Sequence, residues 1–165
     1  MSDSQRFPVA AHALTYLANR DAMTPEQAVS SAALAASMPT NPVVVRRVTA
    51  MLARAGLIGT RAGASGGAWL CRSPASITLD MVLRAVGGAA NLGCPPPGVK
   101  GCPVGERIPD AVRSVLEAVD QATLHTLAKV TVADLLRQAR SAPAPTVQSA
   151  AAQSLPEPAQ PATVA

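Results

Sequence analysis

Aromatic side chains are almost missing from this sequence, with one Phe, one Tyr and one Trp in 165 residues. A core built on large rings is therefore excluded, and any core must be aliphatic, assembled from Ala, Val, Leu and Met. Cysteine is scarce and odd in number, at three, which argues against a secreted disulfide framework. No apolar run approaches the ~20 residues needed to cross a bilayer. The N-terminus lacks the layout of a signal peptide, so a cytoplasmic protein with no membrane partner is expected. Acidic residues are absent between Glu26 and Asp80, whereas Arg46, Arg47, Arg54, Arg61 and Arg72 all fall there. A stretch of one sign creates a positive field suited to phosphates. Paired carboxylates, a Ser/His/Asp set and a phosphate loop are also missing. The glycine-rich Ala62-Gly63-Ala64-Ser65-Gly66-Gly67 has no lysine of the Walker kind, so an enzyme is not expected.

What is present centres on residues 41–72. Asn41 is a good N-cap, and Pro42 suits the first helical position, where its missing N–H is not needed. Val44, Val48, Met51, Leu52 and Ala55 recur at helical spacing and are expected to form the buried stripe. Val43, Arg46, Arg47, Ala50 and Arg54 make up the opposite face. Gly56 stands where a C′ glycine ends a helix. Two short extended runs follow, 57–61 and 68–72, joined by the glycine-rich turn. An arginine-faced helix leading into a basic hairpin is the outline of a winged helix-turn-helix, which makes double-stranded DNA the leading partner.

The remaining chain fits around that unit. Phe7, Ala10, Leu14 and Leu17 define a first helix over 6–20, with His12 and Tyr16 on or beside it. His12 has a structural or surface role in this reading. Ser30 or Ser31 caps a short helix over 32–37, and Met38-Pro39-Thr40 turns the chain into the helix at Asn41. Thr78 is read as the cap of a further helix ending at Gly87-Gly88. A proline-rich loop then carries Cys94 and Cys102. From about Glu106 a longer helix follows, with Pro109 in its first turn. Ile108, Val112, Val115 and Val119, spaced four, three and four, give it an apolar face suited to pairing with a second copy. Thr131 caps a last short helix over 132–140. The segment 141–165 holds five prolines, eight alanines and one charge, Glu157, and is expected to be a disordered tail.

These pieces resemble the Rrf-two family of bacterial winged-helix regulators, which contains the iron–sulfur cluster regulator and the nitric-oxide-sensitive repressor. The resemblance runs from about residue 6 to 137. It is carried by Ala55-Gly56-Leu57-Ile58, Arg61-Ala62-Gly63-Ala64-Ser65-Gly66-Gly67-Ala68-Trp69-Leu70, Ile77-Thr78-Leu79 and Ala85-Val86-Gly87-Gly88. Trp69 stands where the family usually has tyrosine. Asn41-Pro42-Val43-Val44-Val45-Arg46-Arg47 and Cys102-Pro103-Val104-Gly105 are similar to the branch without a metal cluster. The resemblance implies a homodimeric, sequence-specific DNA-binding regulator, usually a repressor. It implies that the 41–54 helix enters the major groove and that the 63–67 wing tip reaches the minor groove. Thr40, Asn41, Val43, Arg46, Arg47, Arg54, Arg61, Ser65 and Gly66 are then the DNA-contacting candidates. Arginine suits guanine O6 and N7, and a helix N-terminus suits phosphate.

The fold class expected is mainly α with a small β-hairpin: a winged helix-turn-helix domain plus a long C-terminal dimerisation helix. The organisation expected is a DNA-binding domain over 1–88, a Cys/Pro-rich sensory or connecting loop over 89–103, the dimerisation and terminal helices over 104–140, and the tail over 141–165. Cluster-binding members carry three cysteines in the loop, and only Cys94 and Cys102 lie there. An iron–sulfur site takes about four ligands, so no cofactor and no metal is expected. A reversible Cys94–Cys102 disulfide and silent free thiols both remain open, and Cys71 is expected to pack as a small apolar residue. Two alternatives stand beside the repressor: a protein-interaction module without DNA binding, and a cluster-binding sensor of the same family.

Overall fold

The computed structural model describes residues 5–38, 40–63, 66–88 and 93–141. Helix α1 spans Arg6–Asn19 and buries Ala10, Ala13, Leu14 and Leu17, with Phe7 half-buried. A single turn of 3-10 helix at Pro25–Gln27 leads to α2, Ser31–Ala36. Ser30 caps α2 by accepting the Ala33 N–H at 3.1 Å. Helix α3 runs from Pro42 to Arg54, and Asn41 Oδ1 accepts the Val43 N–H at 2.8 Å. Gly56, with φ +69°, ends it as expected of a residue in the left-handed region.

The buried side of α3 is rotated from the expected one. Val45, Val48, Thr49 and Leu52 are buried, Val44 and Met51 are half-buried, and Ala55 is exposed. Three successive valines at 43–45 offer no hydropathy contrast to fix the rotation, and Ala55 lies past the last helical residue. The opposite face stands as expected: Val43, Arg46, Arg47, Ala50 and Arg54 are all exposed.

Strands β1 (Ile58–Arg61) and β2 (Gly67–Leu70) pair antiparallel with Ile58 opposite Leu70 and Arg61 opposite Gly67. A third backbone edge joins them, because Val29 and Ala68 exchange both N–H···O bonds at 2.9 Å. Gly67 permits this approach, since a Cβ there would sit 2.5 Å from the Val29 carbonyl oxygen. Cys71 is exposed just beyond β2, not packed as a small apolar residue. Its backbone N–H donates to the Leu57 carbonyl at 3.1 Å.

Helix α4 spans Leu79–Ala85. Thr78 precedes it without making a side-chain cap, because its hydroxyl donates to the Asp80 carboxylate instead. Helix α5 spans Pro103–Leu127, starting three residues before the expected point. Cys102 Sγ accepts the Gly105 N–H at 3.3 Å, and Pro103 occupies the first position. Pro109 therefore lies inside the helix, not in its first turn, and leaves the Gly105 carbonyl without the i+4 N–H donor.

Helix α6 spans Val132–Ser141 and packs on α1. Thr131 and Asp134 close its start reciprocally. The Thr131 hydroxyl accepts the Asp134 N–H at 3.1 Å, and the Asp134 carboxylate accepts the Thr131 N–H at 2.9 Å. The chain returns to the core here: Leu79 N–H donates to the Val130 carbonyl and Val132 N–H to the Ile77 carbonyl, each at 2.9 Å. One aliphatic core joins Leu14 and Leu17 of α1, Leu34 of α2, Val45, Val48 and Leu52 of α3, Leu70 of β2, Ile77, Val82 of α4 and Val132 of α6. Each such side chain contributes about 1.5–3 kcal/mol on full burial. The rest of the tail expected over 141–165 lies outside the described residues beyond Ser141.

Candidate nucleic-acid interface

The α2–α3 pair and the hairpin form one basic surface. α2 lies against α3 and fixes its outward face. Ser37, at the end of α2, donates its hydroxyl to the Leu34 carbonyl at 2.7 Å and hydrogen-bonds His12 Nε2 at 3.0 Å. His12 is itself exposed there, in keeping with a structural or surface role. Thr40 is half-buried and Asn41 exposed at the start of α3, where Asn41 Oδ1 is the cap.

Arg46, Arg47 and Arg54 project from the exposed face of α3, and among the described residues none of them enters an ion pair. Arg61 ends β1, with exposed Gly63 and half-buried Gly66 at the base of the wing tip. Ser65 lies outside the described residues. A groove of about 400 Å³ separates α3 from the hairpin, with Ser31, Arg46, Thr49, Thr60, Arg61 and Gly66 among its walls. Thr49 and Thr60 escaped the sequence reading, because threonines at these positions carry no periodic or charge signal.

The electrostatics differ from the linear sequence in one respect. Glu26 is outside the acid-free stretch in sequence but near its wing in space. Its carboxyl is held below the usual range by a hydrogen bond with Thr24, then by its own backbone N–H, with a smaller contribution from the Arg61 charge. Arg61 thus shares its field with a carboxylate, while the three arginines of α3 do not.

Two further features surround this surface. Helix α5 leaves its expected stripe in solvent, with Ile108 51% exposed, Val112 39%, Val115 63% and Val119 37%, and Val104, 66% exposed, extends it one turn toward the helix start. Cys71, Cys94 and Cys102 are all free and exposed. Among the described residues no three His, Cys, Asp or Glu side chains converge as a metal-holding group. Cys71 sits beyond β2 and Cys102 at the start of α5, so the donor set does not fit a cluster needing about four ligands. No helix among the described residues is long and apolar enough to cross a membrane.

Residues 3–138 match the Rrf2 family model, described as an iron-dependent transcriptional regulator. A Bacillus subtilis (strain 168) protein, YwnA, whose name assigns it as an HTH-type transcriptional regulator, is 36% identical over 135 residues. Those residues make up 81% of this chain and 96% of that protein. A crystal structure described as that of a DNA binding protein is 34% identical, with TM-score 0.61, covering 79% of this chain and 98% of the other. The T. potens IscR structure shares the fold at 24% identity and TM-score 0.59, covering 84% of this chain and 88% of its own. The winged helix-turn-helix, the arginine-faced third helix and these matches together place the chain in the Rrf2 family of transcriptional regulators.

Proposed function

We propose that the protein is a cytoplasmic, homodimeric repressor that binds a specific DNA operator. Helix α3 enters the major groove, and the wing tip between β1 and β2 lies over the adjacent minor groove. Thr40 and Asn41 meet phosphate at the start of α3, and Arg46, Arg47 and Arg54 supply base and backbone contacts. Arg61, Ser65 and Gly66 form the wing contribution. The observation that carries this reading is the face of α3. Three guanidinium groups stand exposed on one helix with no carboxylate paired to them among the described residues. A protein-interaction module has no use for such a face unless its partner is acidic.

Dimerisation is supported by the uncovered stripe on α5, from Val104 to Val119. Two copies of α3 would then engage two half-sites, and a dimer seated on a promoter represses by occupying it. Cys102 at the start of α5 and Cys94 earlier in the chain supply the thiol chemistry. Cys102 caps α5 through its sulfur, so oxidation of that sulfur alters the start of the dimer helix. No step of this proposal uses a metal.

A fluorescence-anisotropy titration tests the reading, using duplexes selected by the protein from a random pool. Affinity should fall steeply with salt, because each neutralised phosphate releases counterions. A salt-independent affinity, or no binding at low salt, would reject it. Repeating the titration with oxidant, and with Cys94→Ser and Cys102→Ser, tests the thiol part. Unchanged binding in every case would remove the redox element and leave the DNA-binding one.

A further inference from the structure

The exposed polar side chains of α3 are hydrogen-bond donors only. Between Pro42 and Arg54 the polar residues are Arg46, Arg47, Thr49 and Arg54. A guanidinium has five donors and no acceptor. Thr49 is 7% exposed, and its hydroxyl donates inward to the Arg46 carbonyl at 3.1 Å. Asn41 is the one amide nearby, and its Oδ1 is held by the Val43 N–H at 2.8 Å. That bond takes one of the two lone pairs of Oδ1 and holds the side chain at the helix start as its cap. The rest of the exposed face is hydrocarbon, chiefly Val43 at 44% exposure, together with Ala50.

The bases present different edges in the major groove. Guanine offers two adjacent acceptors for a bidentate guanidinium and thymine one acceptor and a methyl group, whereas adenine sets a single acceptor, N7, beside its N6 donor and cytosine shows only its N4 donor, and those donors need an acceptor opposite them. A face of donors and methyls has nothing to accept those protons. We infer that α3 reads a restricted alphabet, taking guanines through Arg46 and Arg47 and a thymine methyl through Val43. Adenine and cytosine enter the operator as the complements of those bases. This inference rests on α3 being the recognition helix.

The helix spacing makes the code geometrically specific. Val43, Arg46 and Arg47 stand at i, i+3 and i+4, where neighbouring Cβ atoms are about 5–6 Å apart. Base pairs rise about 3.4 Å each, so the thymine read by Val43 lies within about two base pairs of a guanine read by arginine. Two arginines in succession, with a valine one turn before them, favour a short T- and G-bearing core in each half-site.

The test uses the full-length protein and a duplex it selects from a random pool. Single guanines are replaced by 7-deazaguanine, which keeps pairing but loses the N7 acceptor. Single thymines are replaced by uracil, which loses only the methyl. Affinity should fall about tenfold at one or two guanines, the worth of one charge-assisted bond. It should fall about fourfold at one thymine, the worth of one buried methyl group. Val43→Ala should erase the uracil effect and keep the 7-deazaguanine effect, a coupling that identifies the contact. Val43 is exposed, so the variant should melt like the parent. A selected site indifferent to both analogues, or a Val43→Ala protein that keeps the uracil effect, overturns the code while DNA binding stands. Selection of no sequence at all rejects the DNA-binding proposal itself.

Discussion

Replacing Val115 by aspartate tests the role of α5 most directly. Val115 is 63% exposed and sits mid-stripe between Val112 and Val119, so the substitution should leave the protomer folded. Full burial of an aliphatic side chain contributes about 1.5–3 kcal/mol, and a half-exposed one has about 1 kcal/mol left to gain. The five stripe residues of each copy then supply on the order of 10 kcal/mol gross for the pair. Association costs roughly 4–15 kcal/mol in lost freedom, so the margin for the proposed dimer is narrow and single changes should shift it. In a symmetric interface the mutation occurs twice. Losing about 1 kcal/mol of burial and adding about 2 kcal/mol of unpaired charge per copy removes roughly 6 kcal/mol in all. At 1.4 kcal/mol per decade that is about four decades in Kd. Sedimentation velocity over a concentration series should show wild-type dimer and mutant monomer, with unchanged circular dichroism and weakened operator binding. A wild-type protein already monomeric at micromolar concentration would end the argument, as would a mutant with the parental Kd.

Arg46→Ala combined with Arg47→Ala should lower operator affinity by about 1–3 kcal/mol per lost base contact while leaving Tm unchanged, as measured by anisotropy and thermal melting. Thr131→Ala should cost about 0.5–2 kcal/mol through loss of the α6 cap, seen as a Tm several degrees lower. The same cap predicts a pH dependence, because Asp134 is held below the usual carboxyl range first by the Thr131 hydroxyl, then by the Thr131 N–H and Arg137. Its contribution is present above the unfolded carboxyl pKa and is lost as pH falls through the lowered folded value, so Asp134→Asn should flatten the acid limb of a Tm-against-pH curve. Removing residues 142–165 should leave Tm, dimerisation and DNA binding nearly unchanged, and a clear drop in any of the three would mean that this segment docks on the fold.

Several elements were legible in the chain because local chemistry determined them. Asn41-Pro42 and Gly56 bracket α3 by capping and backbone preference alone, and the outward arginines follow from helical spacing. The inward rotation was not legible, since Val43, Val44 and Val45 are interchangeable to hydropathy and packing against α1 and α2 chose Val45. The start of α5 was misplaced because Pro109 reads as a first-turn residue, whereas Cys102 and Pro103 supply a cap and first position six residues earlier. Cys71 was expected inside on grounds of residue type, but it falls just past the paired register of β2. In the basic surface, charge spacing identified the arginines. The approach of Glu26 to Arg61 depends on the Val29–Ala68 pairing and leaves no trace in sequence distance.

The two backbone bonds that tie Val130 and Val132 to Leu79 and Ile77 have a mechanical consequence. They clamp the C-terminal end of α5 to the body that carries α3, while the stripe lies toward its other end. Helix α5 is 25 residues long, about 37 Å at 1.5 Å per residue. It acts as a cantilever whose root moves with the body that carries α3. If two such beams cross at the stripe, about 22 Å from that root, a change of about ten degrees in their angle moves each such body by about 4 Å, close to one base-pair step. The spacing between half-sites is then set by a crossing of hydrocarbon side chains remote from the bases, and anything that alters that crossing changes which operators fit.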